Sequence, residues 1–223
     1  MMKYFAMSRD KRIDHFINGQ PNPIFTVVSP DSDFASSGYW VWLKSAKAHG
    51  FDVKSFDEKY IYMRATELEW KDNTTFKRFE HDLPIAARCV TDGKAGPELK
   101  VAETHFRYFA SCRPYKSSNL GTAVNDLDAP VRMDAGGLGE LWTRVLHYHY
   151  NCDNEFRNCR DEEQFYLGNG YGLWSWKHFR SGELLKSAVM NNFQTGKAQA
   201  TLPCEESHKP SSAGSKGLGQ PNL

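Results

Sequence analysis

The stretch LGELWTRVLHYHYNC, Leu138–Cys152, decides the fold. Leu138, Leu141, Trp142, Val145, Leu146 and His149 recur at i, i+3, i+4, i+7, i+8 and i+11, which is the period of an amphipathic helix. Gly136, Gly137 and Gly139 precede the stripe; such a helix entry could receive a phosphate, but it needs no ligand to exist. On the helical period His149 joins the apolar stripe, and His147 falls with Glu140, Thr143 and Arg144 on the wet side. Two histidines at i and i+2 share a face on a strand and can share a metal, whereas on a helix they stand roughly 200° apart. The helical reading therefore makes the two imidazoles diverge.

Upstream, Ile24–Val28 is an apolar run fenced by Pro21, Pro23 and Pro30, and it reads as a short strand. Ser36–His49 has N-cap residues ahead of it, apolar positions at helical spacing and Gly50 as a stop, so a helix is expected there. Three long strands follow: Lys59–Trp70, Phe76–Val90 with Pro84 as a bulge or edge position, and Leu99–Cys112, which alternates most clearly. A loop is expected over Arg113–Gly137; its length argues for a function or for a short strand hidden at Val131–Met133. The segment SGELLKSAVMNNF, Ser181–Phe193, reads as a short final helix. Strands and helices segregated in this way predict an α+β domain: an antiparallel meander of long strands flanked by two or three helices.

Residues 195–223 are rich in Gly, Ser, Pro, Lys and Gln and hold only scattered leucines. They bury too little apolar surface to offset the entropy of ordering, so a single domain over 1–194 and a disordered tail over 195–223 are expected. A formal charge of +1 on 223 residues gives no global field towards nucleic acid or an anionic membrane. No run of roughly 18 apolar residues and no signal peptide is present, so no membrane association is expected. Cys89, Cys112, Cys152, Cys159 and Cys204 are odd in number and form no CxxC pair, which predicts free thiols and a cytoplasmic location.

The stretch GNGYGLWSWKHF, Gly168–Phe179, joins glycines that let a backbone approach a ligand to aromatic rings that stack on bases. Within it, Asn169–Trp176 resembles the RNP1 pattern of RNA-recognition motifs at Gly170, Tyr171, Gly172 and the aromatic Trp176. It departs from that pattern at Asn169, Leu173 and Trp174, and eight residues do not establish membership. A second basic-aromatic run, HFRYFASCRPYK, His105–Lys116, has no acid within it. The leading expectation is an intracellular, noncatalytic nucleic-acid binder, with RNA as the favoured partner and no cofactor. Arg107, Arg113 and Lys116 would meet phosphates; Tyr171, Trp174, Trp176 and Lys177 would meet bases and backbone.

Two other readings stand beside it. The His147-Tyr148-His149 pattern resembles that of HUH-type nucleases, which implies a metal-dependent phosphodiesterase or nuclease with a divalent metal, Tyr166 or Tyr171 serving as nucleophile. Cys152 and Asp153 are alternative ligands beside His147 and His149, and Glu155, Asp161, Glu162 and Glu163 could hold Mg²⁺. Asp126 and Asp128 could do the same, or merely shape a turn. The third reading is an assembly or protein-interaction subunit, perhaps from a mobile element, with its aromatics against a partner or a second copy of the chain. Nucleophile-elbow, Walker A and dinucleotide fingerprints are absent.

Overall fold

A computed structural model of the chain describes residues 2–5, 11–17, 20–29, 38–44, 49–56, 58–68, 75–79, 83–101, 105–119 and 121–195. After a one-turn helix α1 (Met2–Phe5) the elements are strands: β1 (Lys11–Ile17), β2 (Gln20–Ser29), β3 (Gly38–Lys44), β4 (His49–Phe56) and β5 (Tyr60–Leu68). Next come β6 (Phe76–Phe79), β7 (Leu83–Ala87), β8 (Leu99–Val101), β9 (His105–Ala110), β10 (Arg113–Asn119) and β11 (Thr122–Leu127). The chain closes with β12 (Val131–Asp134), a 3-10 turn at Gly136–Leu138, β13 (Glu140–Cys152), β14 (Asp161–Gly168), β15 (Gly172–Arg180) and β16 (Glu183–Thr195).

The sixteen strands among the described residues belong to one sheet, in the order β10-β9-β6-β5-β4-β3-β2-β1-β16-β15-β14-β13-β11-β8, with β12 also on β13 and β7 also on β5. Every pairing is antiparallel. The α+β expectation is thus overturned: the antiparallel pairing is present, and among the described residues the flanking helices are not. Where a helix was expected over 36–49, β3 and the start of β4 stand; GYWVWLK is a run of aromatic and β-branched residues that suits a pleated surface. Ser181 and Gly182, with φ of 49° and 83°, turn the chain into β16 rather than into a final helix. The loop expected over 113–137 is occupied by β10, β11 and β12, the last of which covers Val131–Met133. Residues 196–223, where the disordered tail was expected, lie outside the described residues.

The misreading of β13 has a specific cause. Thr143, Arg144, Val145 and Leu146 are all buried, so this part of the strand is covered on both faces and its alternation disappears. A continuously buried strand cannot be told from a buried helix by period alone, and here its apolar positions mimic i, i+3, i+4.

The sheet curls until strands far apart in pairing order meet. Ile61 and Met63 of β5 and Leu83, Ile85 and Ala86 of β7 share one hydrophobic cluster with Leu127, Leu141, Leu146, Leu167 and Trp174 from the other half of the sheet. Tyr4 and Phe5 of α1 insert into the same cluster, where the Tyr4 ring lies 5.4 Å from the Arg144 guanidinium carbon. Asn125, fully buried, ties β11 to β7 by donating its side-chain amide to the Pro84 carbonyl at 2.9 Å. The opposite face of β11, β13 and β14 is left only partly covered. No helix among the described residues is long and apolar enough to cross a membrane.

The thiols also differ from expectation. Cys152 and Cys159 form a disulfide, Cys112 is disulfide-bonded as well, and Cys89 is free and exposed. The free-thiol premise of the cytoplasmic expectation therefore falls.

Candidate metal centre

Strand β13 runs between β11 and β14, and register decides what meets on its outer face. Asp126 of β11 pairs with His147, while Gln164 and Glu162 of β14 pair with His147 and His149. Successive strand residues point to opposite faces, so Asp126, His147, His149, Glu162, Gln164 and Tyr166 project from the same side. The divergence of the two imidazoles expected from a helix is overturned: their rings lie parallel, 5.9 Å apart with 7° between planes.

Each imidazole is engaged by carboxylates. His147 Nδ1 lies 2.9 Å from Glu162 Oε1, His147 Nε2 lies 3.1 Å from Asp128 Oδ2, and His149 Nε2 lies 3.5 Å from Asp126 Oδ2. Asp128 sits just past the end of β11, where its N–H donates to the Val145 carbonyl at 2.9 Å and fixes it beside β13. Two sets of donor atoms lie within 4.8 Å of one another, one from His147, His149 and Glu162, the other from Asp126, Asp128 and His147. For bonds of 2.0–2.1 Å to a tetrahedral ion, neighbouring ligand atoms stand about 3.3 Å apart. The three His–carboxylate separations, 2.9, 3.1 and 3.5 Å, lie near that spacing. Two imidazoles with carboxylates suit zinc, manganese or iron better than calcium or magnesium, which prefer all-oxygen shells.

The electrostatics fit a cation-binding cluster. Burial pulls the His147 pKa down, but hydrogen bonds to Glu162 and Asp128 outweigh it and leave the ring above its usual value. The His149 hydrogen bond holds the Asp126 carboxyl below the usual carboxylate range. Glu162 is also lowered: burial raises it, and the hydrogen bonds from His147 and Gln164 prevail.

Other expected site residues fall elsewhere. Cys152 is tied to Cys159 and offers no thiolate. Asp153 spends its carboxylate on its own loop, accepting from the backbone N–H groups of Glu155, Arg157 and Asn158 and from the Asn158 amide. Asp161, almost fully buried, is held by Arg160, Arg180 and Asn151, while Glu163 accepts from Trp176 Nε1 on the opposite face from the histidines. Tyr171 is half-buried in the β14–β15 turn against the hydrophobic cluster. Tyr166 reaches His147 through Gln164 and then Glu162, its hydroxyl donating to Gln164 Oε1 at 2.8 Å.

Of the residues expected to stack on bases, Trp174 is not exposed. Trp174 is buried, its Nε1 donating to Thr143 Oγ1 at 3.1 Å, and it belongs to the hydrophobic core. Trp176 is half-buried with its indole N–H on Glu163. Strands β6, β5, β4, β3, β2, β1 and β16 separate Arg107, Arg113 and Lys116 on β9 and β10 from β15 in the pairing order, so the two basic-aromatic runs form no exposed cluster on adjacent strands. Lys177, on the face opposite Trp176, instead falls in one cross-strand row with Asp126, His147 and Gln164.

No protein-family model, no curated protein and no solved structure matches this chain. The site rests on geometry alone. Of its residues, His147 and His149 were marked by their i, i+2 spacing; the way Asp126, Asp128 and Glu162 converge on them depends on strand register. The alternation of Glu162, Gln164 and Tyr166 was the available signal for a polar strand face.

Proposed function

We propose that this protein binds one divalent transition-metal ion on the outer face of β11 and β13, and uses it to hydrolyse a phosphodiester. The observation that carries the reading is the convergence of Asp126, Asp128 and His147, whose ligand atoms lie within 4.8 Å of one another, with His149 Nε2 3.5 Å from Asp126 Oδ2. Asp128 is 55% exposed, so one side of the cluster is open to water and substrate, as a catalytic site requires and a closed structural site does not. Lys177 supports an anionic substrate. It stands two strands from His147 in the same row, about 10 Å between backbones at ordinary strand spacing, and its ammonium rests over the Tyr166 ring at 5.0 Å.

A bound divalent ion would supply Lewis acidity and an acidified water at neutral pH. In the hydrolysis the water oxygen forms a bond to phosphorus, the ester P–O bond breaks, and the water's proton ends on the departing alcohol. Asp126, Asp128 and His147 would hold the ion, His149 would orient Asp126 through its 3.5 Å contact, and Lys177 would offset charge on a phosphate oxygen.

Calorimetric titration of metal-free protein with Zn²⁺ and Mn²⁺ tests the site, and turnover of bis(para-nitrophenyl) phosphate tests the reaction. The expected result is one ion per chain and metal-dependent turnover, both lost in His147→Ala/His149→Ala. A folded wild-type protein that takes up neither ion overturns the reading; uptake without turnover overturns its hydrolytic half.

A further inference from the structure

Resting on that metal reading, we infer that Glu162 is not a ligand but a positioning residue: through Nδ1–H of His147 it turns Nε2 of that ring towards Asp126 and Asp128, and the ion binds there. Glu162 and Asp128, one from each candidate ligand set, meet opposite edges of the same ring, so the choice between the sets follows from what each edge already does.

On the Nδ1 edge the hydrogen-bond roles are fixed by a one-way chain. Tyr166 donates to Gln164 Oε1 at 2.8 Å, Gln164 Nε2 donates to Glu162 Oε1 at 2.8 Å, and the same oxygen lies 2.9 Å from His147 Nδ1. An ionised carboxylate only accepts, so Nδ1 carries the proton. Putting a metal on this edge would remove that hydrogen bond and compete with the Gln164 amide for the same oxygen.

On the Nε2 edge the situation is the reverse. With Nδ1 protonated, a neutral imidazole presents a lone pair at Nε2 towards Asp128 Oδ2, 3.1 Å away. Two acceptors at that distance repel unless a proton or a metal ion lies between them, and a metal arriving at Nε2 takes the proton's place. Asp126 joins Asp128 and His147 in a set of three donors within 4.8 Å of one another, and His149 Nε2 stands 3.5 Å from Asp126 Oδ2. Glu162 is 25% exposed and Asp128 is 55% exposed, so the Nε2 edge is also the one that solvent and an incoming ion reach. The arrangement is a carboxylate–histidine–metal relay, in which the outer carboxylate sets tautomer and ring orientation.

The test uses the full chain loaded with Zn²⁺, a diamagnetic ion, and reads which His147 nitrogen it occupies from long-range ¹H–¹⁵N spectra. Zinc on Nε2 with a protonated Nδ1 is expected. Glu162→Ala should weaken zinc binding by roughly 10- to 100-fold without changing the nitrogen occupied or the one-to-one stoichiometry. Glu162→Gln keeps an acceptor oxygen and should restore most of the affinity, which loss of a true ligand would not allow. Zinc on Nδ1, or unchanged affinity in a folded Glu162→Ala, overturns this inference while leaving the metal reading intact. A wild-type protein that takes up no zinc overturns both and is recognised before any variant is made.

Discussion

The parallel rings of His147 and His149 each face a different carboxylate, Asp128 for the first and Asp126 for the second. This pairing is a consequence of strand geometry. A two-residue repeat on β13 sets the rings side by side, and the antiparallel neighbour supplies one acid within β11 and another just beyond its end. Without a metal, the same groups satisfy one another as ion pairs, so the cluster is stable in both states and the competition between proton and metal becomes its controlling variable.

That competition gives the first expected outcome. The His147 pKa lies above its unfolded value, so its pairing stabilises the metal-free fold fully below about pH 6.5 and is lost as pH rises through the folded value. Asp126 and Glu162 are lowered, so their contributions are present above the usual carboxylate range and lost as pH falls through their folded values. A metal at Nε2 must displace a proton, and zinc affinity should therefore climb with pH until His147 is neutral and then level off. Affinities measured from about pH 5 to pH 8 check this; a flat profile across that range would count against His147 as a ligand.

Asp161 offers a test independent of the metal. Its carboxylate is almost fully buried at the start of β14; burial raises its pKa, but hydrogen bonds from Arg180, Asn151 and Arg160 prevail and bring it from 3.8 to about 2. A lowered carboxylate contributes above its unfolded pKa and loses that contribution as pH falls through the folded one. The difference corresponds to about 2 kcal/mol near neutral pH. Urea unfolding of Asp161→Asn and wild type should show that gap at pH above about 5 and its closure towards about pH 2. A gap that does not narrow on acidification would show that the charge of Asp161 is not what stabilises the strand end.

Trp174 separates core from binding surface. Its indole is buried and donates to Thr143 Oγ1 across β13, β14 and β15. Trp174→Ala should cost about 3–5 kcal/mol of unfolding free energy. Thr143→Val removes the acceptor and should cost about 1–3 kcal/mol by leaving a buried N–H unpaired. Denaturant unfolding measures both; a Trp174→Ala protein as stable as wild type would mean that the ring lies outside the core.

These outcomes also show what was legible in the chain. The run Ile24–Val28 and parts of Leu99–Cys112 could be read as strands from their composition, but the single strand expected over 99–112 gives way to β8 and β9, and Ser111 and Cys112, with φ of 48° and 62°, turn the chain into β10. β13 could not: with residues 143–146 buried on both faces, its apolar positions fit a helix as well as a strand. The chemistry of the two histidines was visible in their i, i+2 spacing, but its meaning changed with the element assigned to them. Trp174 was expected on a binding surface, and not in the core, for a related reason. Glycine and aromatic residues around a turn look alike whether the rings meet a ligand or a core, and only the curl of the sheet distinguishes the two.

The disulfide between Cys152 and Cys159 joins the end of β13 to the residues just before β14, next to the pairs Tyr150↔Asp161 and His149↔Glu162. Much of this connection is held without it. Thr122 Oγ1 donates to the carbonyls of Cys152 and Asp153 at 3.0 and 3.1 Å, Arg160 N–H donates to Asn151, and Asp153 accepts from three backbone N–H groups. The bridge therefore acts chiefly on the unfolded chain, and closing so short a loop is worth about 2.5 kcal/mol in the chain-entropy account. Cys152→Ala/Cys159→Ala should lower unfolding free energy by no more than about that amount and keep one zinc ion per chain, because the register that aligns His149 with Glu162 is set by the strand ladder. Denaturant unfolding and zinc titration of the double variant check the two halves; loss of zinc binding in a folded variant would mean that the disulfide, and not the ladder, holds the metal-binding face in place.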